Sequence, residues 1–486
     1  MCGISAIISY SNKDITQDLL KSLYHIQHRG KESYEITTIN LFNNINTVNN
    51  LGLINTEDIL SKHTDKVKSC IGLGNVRYTG KTNILDYKPH THFSSSNENT
   101  SVYNNKKFII YHNGYIKLKP ELINSELGIK FSKDINSDTD IILNILIHKL
   151  YYGCIDANEI TKALRFLEDF IIGSYSIILY ISNIGLIVFR DKYGFKPLSV
   201  GKKDENYIII SESVGIKGID YEHICDVGPG EVIIFYDNNN NNDTSISGKS
   251  LIVRKQYSEF PILKPCILEW VNIANVSSII EGISVYESRL KMGEKLGDTI
   301  IESFKNIQNE NRIYLEDIDY VCPITETSKP STIIVAEKLG KVYRELIIKN
   351  RYVNRTFIMD SQENIKKPIK YNFLMIDHLI KDKNLLIVTD SIVRGNTLTY
   401  IISELRKKGA NKIIVASCSP PIKYINKYGI DIQDPELLVA NGKNDEEIAI
   451  TLGADLVIYQ KIEDLGKSIS DLNPDINNFE MSVFDN

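Results

Sequence analysis

Tryptophan is nearly absent from this 486-residue chain, which has one, and methionine is scarce, with five. Cysteine is sparse as well: the seven stand at positions 2, 70, 154, 225, 266, 322 and 418, and no two form a CxxC pair. Neither a disulfide framework nor a zinc site is indicated, and a reducing, cytoplasmic setting fits best. No excess of one charge sign is present, since 56 Lys and Arg against 61 Asp and Glu give a formal net charge of −5. That balance gives no reason to expect nucleic acid or an anionic membrane as a partner. The first residues lack a basic stretch leading into a long apolar run, so no signal peptide is expected. The longest apolar region, residues 175–189, is interrupted by Ser182, Asn183 and Gly185. It reads as a β-hairpin and not as a membrane span. What is present is ordinary globular material, 42% hydrophobic and 24% charged, enough for two or three domains.

The most informative stretch is LLIVTDSIVRGNTL, residues 385–398. Its first four residues have the length and β-branching of a buried strand. Asp390 follows at the strand's end, then Ser391 and a turn through Arg394, Gly395, Asn396 and Thr397. Ile401, Ile402 and Leu405 then mark the apolar face of a helix. Such a turn offers backbone N–H groups and a positive helix end to a phosphate, and leaves the carboxylate to accept hydrogen bonds from sugar hydroxyls. The same residues also allow an ordinary βα turn of a parallel sheet.

At the other end, Cys2 precedes Gly3. Removal of the initiator Met would leave Cys2 with a free α-amine titrating near pH 8, able to serve as base for its own thiol. Four further stretches accompany it: LYHIQHRGKES (23–33), GNVRY (74–78), FIIYHNGY (108–115) and SDTD (137–140). Taken singly, Arg77 reads as a surface arginine, His112-Asn113-Gly114 as a turn and Asp138 as a helix N-cap. All of them in this order behind Cys2 is a far less ordinary pattern.

These stretches carry a resemblance. VTDSIVRGNTL resembles the PRPP-binding signature of type I phosphoribosyltransferases. MCGISAIISY and LYHIQHRGKES resemble the start of class II glutamine amidotransferases. Further matching segments, GSYSIILY, LIVFRDKYGFKPL, Ser211-Glu212-Ser213, RLKMGEKL, Tyr428-Gly429-Ile430-Asp431 and the piece at 453–465, extend the likeness to nearly the whole chain. The combination resembles the amidophosphoribosyltransferase family.

The resemblance implies a two-domain chain of mixed α/β and α+β class. An N-terminal Ntn-hydrolase four-layer αββα sandwich is expected at 2–236. An Asn-rich loop and linker (237–260), a phosphoribosyltransferase α/β domain with a parallel sheet (261–470) and a tail (471–486) follow. It implies Cys2 as nucleophile, Asn113 and Gly114 as oxyanion hole, and Arg29, Arg77 and Asp138 around glutamine. PRPP would be held by Lys349, Arg351 and Arg355 of a closing loop and by Thr389, Asp390, Ser391, Arg394, Gly395, Asn396 and Thr397. Ser328, Thr389 and Asp390 would bind Mg2+. The implied reaction turns glutamine, PRPP and water into 5-phosphoribosylamine, glutamate and pyrophosphate, the first committed step of purine synthesis. The ammonia is carried from one site to the other. Purine nucleotides are the implied inhibitors and a homotetramer the implied assembly. Some members hold an iron–sulfur cluster, but this chain has no cysteine after Cys418 and carries Asn426 where one is expected, so no cluster is expected.

The chain departs from the family in five places. Ala274 to Ser278, ANVSS, stand where an Arg-Pro-Asp-Ser run is usual. Thr389 replaces the first of two adjacent acids. Asn75 stands where a His is usual. The Tyr78-Thr79-Gly80 loop is shorter. The basic cluster after the closing loop is thinned to Lys366, Lys367 and Lys370. Two other readings therefore stand beside the first: a class II amidotransferase with another acceptor, and a catalytically impaired homologue that binds PRPP or nucleotides for regulation.

Overall fold

The computed structural model describes residues 2–55, 68–78, 106–118, 137–150, 155–237, 252–306, 313–350, 372–426, 428–429 and 434–485. The chain forms two compact units. The first comprises Met1–Pro265, Ile279–Glu281 and Lys427–Asp431; the second comprises Cys266–Ser278, Gly282–Asn426 and Ile432–Asn486.

The first unit is built on two antiparallel sheets. One contains β1 (Cys2–Ser9), β2 (Ser33–Asn40), β3 (Ile45–Leu51), β4 (Ser69–Arg77), β8 (Ser199–Lys203), β9 (Asn206–Ile210) and β10 (Glu222–Asp226), in the order β10-β8-β9-β1-β4-β2-β3. The other contains β5 (Phe108–Leu118), β6 (Ile171–Ile181), β7 (Gly185–Arg190), β11 (Glu231–Tyr236) and β12 (Ile252–Gln256), in the order β12-β11-β7-β6-β5. The period-2 alternation of strand side chains sends successive residues to opposite faces. Ile4, Ala6 and Ile8 of β1 therefore meet Tyr111, Ile178 and Tyr180 between the sheets. Ile7 faces outward, against Leu19, Leu20 and Leu23 of helix Thr16–His25. Helices Asp138–Leu150 and Ala157–Phe170 cover the outer face of the second sheet through Ile142, Leu146, Leu164 and Leu167. The result is the expected αββα sandwich. The apolar stretch 175–189 is a hairpin, β6 to β7, turning at Asn183 with φ 63°.

The expected linker 237–260 needs correction. Its second part is β12, which pairs with β11 from Glu231↔Gln256 to Phe235↔Ile252. The paired backbone groups of an edge strand tie these residues to the sheet, and the first unit runs on to Pro265. The Asn-rich part, 238–251, lies outside the described residues.

The second unit has a five-stranded parallel sheet in the order Val342–Tyr343, Tyr320–Pro323, Asn384–Thr389, Lys412–Ser417, Leu456–Tyr459. Leu385, Leu386, Ile387 and Val388 are all fully buried. A central parallel strand covered on both faces has this continuous apolar character. Helix Val285–Asn306 and helix Lys329–Leu339 cover one face. Helices Asn396–Lys407 and Asp445–Leu452 cover the other. The supposed tail is also packed into the second unit. Ile476, Phe479, Val483 and Phe484 are buried, and the Phe479 ring meets Trp270 edge-on at 6.0 Å. Among the described residues no helix is long and apolar enough to cross a membrane.

Candidate active sites

In the first unit the pairing of β1 with β4 sets Cys2 directly opposite Arg77. Opposed residues of an antiparallel pair lie about 4.5–5.5 Å apart at Cα, so both groups address the same spot. From the second sheet, Asn113 of β5 reaches Cys2: the Cys2 nitrogen donates to Asn113 Oδ1 at 3.3 Å. Asn113 is fully buried, and its Nδ2 has no hydrogen-bond partner among the described residues. Because Oδ1 is fixed by Cys2, Nδ2 is a preoriented donor left for a ligand.

Next to Asn113, the buried His112 ring lies 3.7 Å from Asp138 Oδ2 and 3.4 Å from Thr139 Oγ1. Burial holds this imidazole below its ordinary pKa, although Asp138 opposes the shift. Asp138 is the first residue of its helix, where a carboxylate is favoured by the helix dipole. Its Oδ1 accepts the Thr139 N–H at 2.9 Å and its Oδ2 the Ile116 N–H at 3.4 Å.

Arg29 is placed differently from a substrate-binding residue. It is buried, with Nη1 2.5 Å from Glu212 Oε1 and Nε donating to the Cys2 carbonyl at 3.2 Å. It therefore positions the Cys2 backbone. Glu212 is fully buried, which disfavours its charge, yet Arg29 and then His28 at 2.8 Å hold its carboxyl well below the usual range. Along the sequence Glu212 stands out only as part of a matching segment, Ser211-Glu212-Ser213. An acid between two serines at a strand end gives no sign of its arginine partner 183 positions away.

The second unit gathers its polar groups at the carboxyl ends of the parallel strands, where open α/β sheets bind ligands. Asp390 Oδ2 accepts hydrogen bonds from the Thr327 hydroxyl and, at 3.4 Å, from Thr325 Oγ1. Its Oδ1 accepts the Ser391 N–H at 2.6 Å. Thr389 is buried, its hydroxyl donating to the Ser391 carbonyl at 3.3 Å. Asn272 holds the Ser391 hydroxyl at 3.0 Å. Ser328 is buried, and its Oγ donates to the Val388 carbonyl at 3.1 Å, tying the 325–328 loop to the central strand.

Gly395, φ 76°, starts helix Asn396–Lys407, and Arg394, Asn396 and Thr397 are exposed there. A pocket of about 360 Å³ opens beside this region, bounded by Thr325, Glu326, Lys329, Ile347 and Lys349. Lys329 is neutralised there by Glu326 at 3.1 Å and Glu345 at 2.9 Å. Lys349, itself exposed, ends a two-stranded ribbon, while Arg351, Arg355, Lys366, Lys367 and Lys370 lie outside the described residues. Thr325 and Thr327 lie in ITETSK, 324–329, the loop that the resemblance associates with pyrophosphate and magnesium, whereas nothing in the sequence points to Asn272.

The fold and the first site define a glutamine amidotransferase joined to a phosphoribosyltransferase-type α/β unit. A family model for the glutamine amidotransferase domain matches residues 90–217. The amidophosphoribosyltransferase of Haemophilus influenzae is 34% identical over 496 residues, covering all of this chain and 92% of that protein. That of Escherichia coli is 34% identical over 497 residues, with coverage of 100% and 92%. A solved glutamine PRPP amidotransferase from B. subtilis, complexed with ADP and GMP, superimposes with a TM-score of 0.80 at 26% identity and covers 100% of this chain and 96% of its own. The chain belongs to the amidophosphoribosyltransferase family. Its reaction converts glutamine, PRPP and water to 5-phosphoribosylamine, glutamate and pyrophosphate, the entry to purine synthesis.

Proposed function

We propose that glutamine is hydrolysed at Cys2 and that the ammonia is consumed at the Asp390 site. The observation that carries this is the divided amide of Asn113, with Oδ1 on Cys2 and Nδ2 awaiting an acceptor. With Met1 removed, the Cys2 amine takes the thiol proton as sulfur attacks the glutamine amide carbon. The carbonyl oxygen becomes anionic and is met by Asn113 Nδ2 and the Gly114 N–H. The amine returns the proton to the leaving nitrogen, ammonia departs, and water cleaves the thioester to glutamate. Arg77 pairs with the substrate α-carboxylate in a fork, and Asp138 takes its α-ammonium.

At the second site, Asp390 accepts the ribose hydroxyls. The turn from Ser391 through Arg394 and Gly395 to Asn396 and Thr397 donates N–H groups to the 5-phosphate. Lys349, Arg351 and Arg355 meet the pyrophosphate. The oxygen donors Asp390, Thr389 and Ser328 are of the type a hard cation takes, and they would hold Mg2+ together with substrate phosphate and water. When bound, such an ion neutralises charge on the leaving pyrophosphate. The reading includes no iron–sulfur cluster, in keeping with the absence of cysteine beyond Cys418. Purine nucleotides as inhibitors are supported by the ADP and GMP held by the B. subtilis relative. A homotetramer and a cytoplasmic location complete the proposal, the latter supported by the scattered thiols.

The test is a pyrophosphate-release assay with PRPP and glutamine, repeated with ammonia in place of glutamine. Both nitrogen sources should support release. A protein that hydrolyses glutamine without PRPP-dependent pyrophosphate release would overturn the acceptor assignment.

A further inference from the structure

The Tyr428-Gly429 stretch has so far been given no role, although it folds with the first unit from far along the sequence. We propose that Gly429 is a positioning residue for glutamine hydrolysis: with Tyr428 it forms a backstop against the Gly114 carbonyl that fixes the backbone of this oxyanion-hole residue. The inference rests on the assignment of Asn113 and Gly114 given above.

Gly114 has no side chain to anchor it, and glycine is the residue with the widest backbone freedom. An N–H that must meet a developing anion has to be held by its surroundings. Two neighbours press on Gly114. A Cβ added at Gly114 would stand 2.0 Å from the Ser174 carbonyl oxygen, so the β6 backbone closes on it directly. A Cβ added at Gly429 would stand 3.0 Å from the Gly114 carbonyl carbon and 3.2 Å from its oxygen. Gly429 itself sits at φ 93°, a conformation suited to glycine.

The backstop is itself tied down. Ser174 Oγ donates to the Tyr428 carbonyl at 2.7 Å, and the Tyr428 ring packs on Phe195 with centroids 4.3 Å apart, tilted by 32°. Ser174 thus touches both parts, with its carbonyl against Gly114 and its hydroxyl on Tyr428. A side chain at 429 would press the Gly114 carbonyl aside by a few tenths of an ångström, and through the pliant Gly114 α-carbon that shift reaches the preceding peptide, whose N–H meets the oxyanion.

The full-length Gly429→Ala protein tests this. Loss of one oxyanion donor costs about 10²-fold in kcat, and that loss is expected in glutamine-dependent turnover, with the KM for glutamine changed by no more than about twofold. The ammonia-dependent rate should stay as in the wild type. Glutamate γ-semialdehyde, whose adduct with the Cys2 thiol places an anionic oxygen in the same hole, should lose affinity in step with kcat. Ser174→Ala removes only the tether and should act in the same direction by about fivefold, one hydrogen bond's worth.

Equal losses of glutamine- and ammonia-dependent rates, or unchanged aldehyde affinity in both variants, would overturn the backstop. Should Gly429→Ala not yield folded protein, Ser174→Ala decides by the same aldehyde measurement. Asn113→Ala separates the two layers. If it retains full aldehyde affinity, the oxyanion assignment itself fails; if it loses affinity while Gly429→Ala does not, only the backstop fails.

Discussion

Glu212→Ala should cripple the first site without touching the substrate. Arg29 and Glu212 are both buried, at 3% and 0% exposure, and their ion pair is the contact at 2.5 Å. Deleting the carboxylate strands a guanidinium in the interior, and removing one partner of a buried pair costs about 3–5 kcal/mol. That is a large share of the roughly 5–15 kcal/mol that holds a domain folded. Urea unfolding of the variant should show a lowered midpoint that, multiplied by the slope of stability with urea, corresponds to that loss. Activity should fail in one half only, because Arg29 Nε also holds the Cys2 carbonyl at 3.2 Å. Glutamine-dependent turnover should fall while ammonia-dependent turnover persists in protein that remains folded. The double variant Arg29→Met with Glu212→Leu removes both charges, so stability should return towards the wild-type level. Glutamine-dependent activity should not return, since the contact to Cys2 is gone. The stability loss also has a pH signature. Glu212 is held below its ordinary 4.5 in the folded protein, so its contribution is complete above that pH and is lost as pH falls through the depressed value. The difference between wild type and Glu212→Ala should therefore shrink in acid. A loss below about 1 kcal/mol near neutrality, or equal damage to both activities, would refute the argument.

Cys2→Ala should abolish glutamine-dependent synthesis and keep ammonia-dependent synthesis, measured by product formation with each nitrogen source; equal loss of both would contradict two separable sites. Asp390→Asn keeps the shape of the side chain but removes the charge that now accepts Thr325, Thr327 and Ser391. PRPP affinity by calorimetry should drop at least about tenfold, the scale of one charge-assisted hydrogen bond, and unchanged affinity would remove Asp390 from the ribose. Asp191, buried beneath three backbone N–H donors, has its pKa raised by burial from 3.8 to about 6. Between those values the folded state holds more protons than the unfolded chain, so stability falls as pH rises through this window. Asp191→Asn should flatten that slope in thermal melts from pH 4 to 6.

Much of this architecture was legible because the signals were local. Residues 385–388 announced a buried parallel strand by being apolar throughout, and they are its central strand. The Ser182-Asn183 break announced the β6–β7 hairpin. What stayed hidden depended on register and on distant partners. Asn113 and Cys2 come from different sheets, and no spacing along the chain encodes a contact across 111 positions. β12 was lost in the Asn-rich composition before it, because a five-residue edge strand with alternating exposure has little periodicity to read. The C-terminal residues gave no sign until Phe479 was seen against Trp270.

The glycines show how short motifs and distant contacts join. Helix Thr16–His25 lies close on β4: a Cβ at Gly72 would strike Ile15 and Leu19, and one at Gly74 would strike Leu23. The helix leads into the turn Gln27–Arg29, and there the approach becomes backbone on backbone. A Cβ at Gly30 would lie 2.4 Å from the Arg77 nitrogen. A Cβ at Gly3 would stand 2.9 Å from both Ile26 and Val76. Flexible side-chain ends can give way at 72, whereas the Glu35 carbonyl oxygen, 2.9 Å from a Cβ at 74, and the Arg77 backbone at 30 cannot. The glycine in HRG is therefore a steric requirement, since any larger residue would push Arg77 from its place opposite Cys2. Arg29 arrives at the Cys2 carbonyl through the same close contact. Three motifs that look independent along the chain, at 2–3, 28–30 and 74–77, are one packing solution that delivers Cys2, Arg29 and Arg77 to a single point.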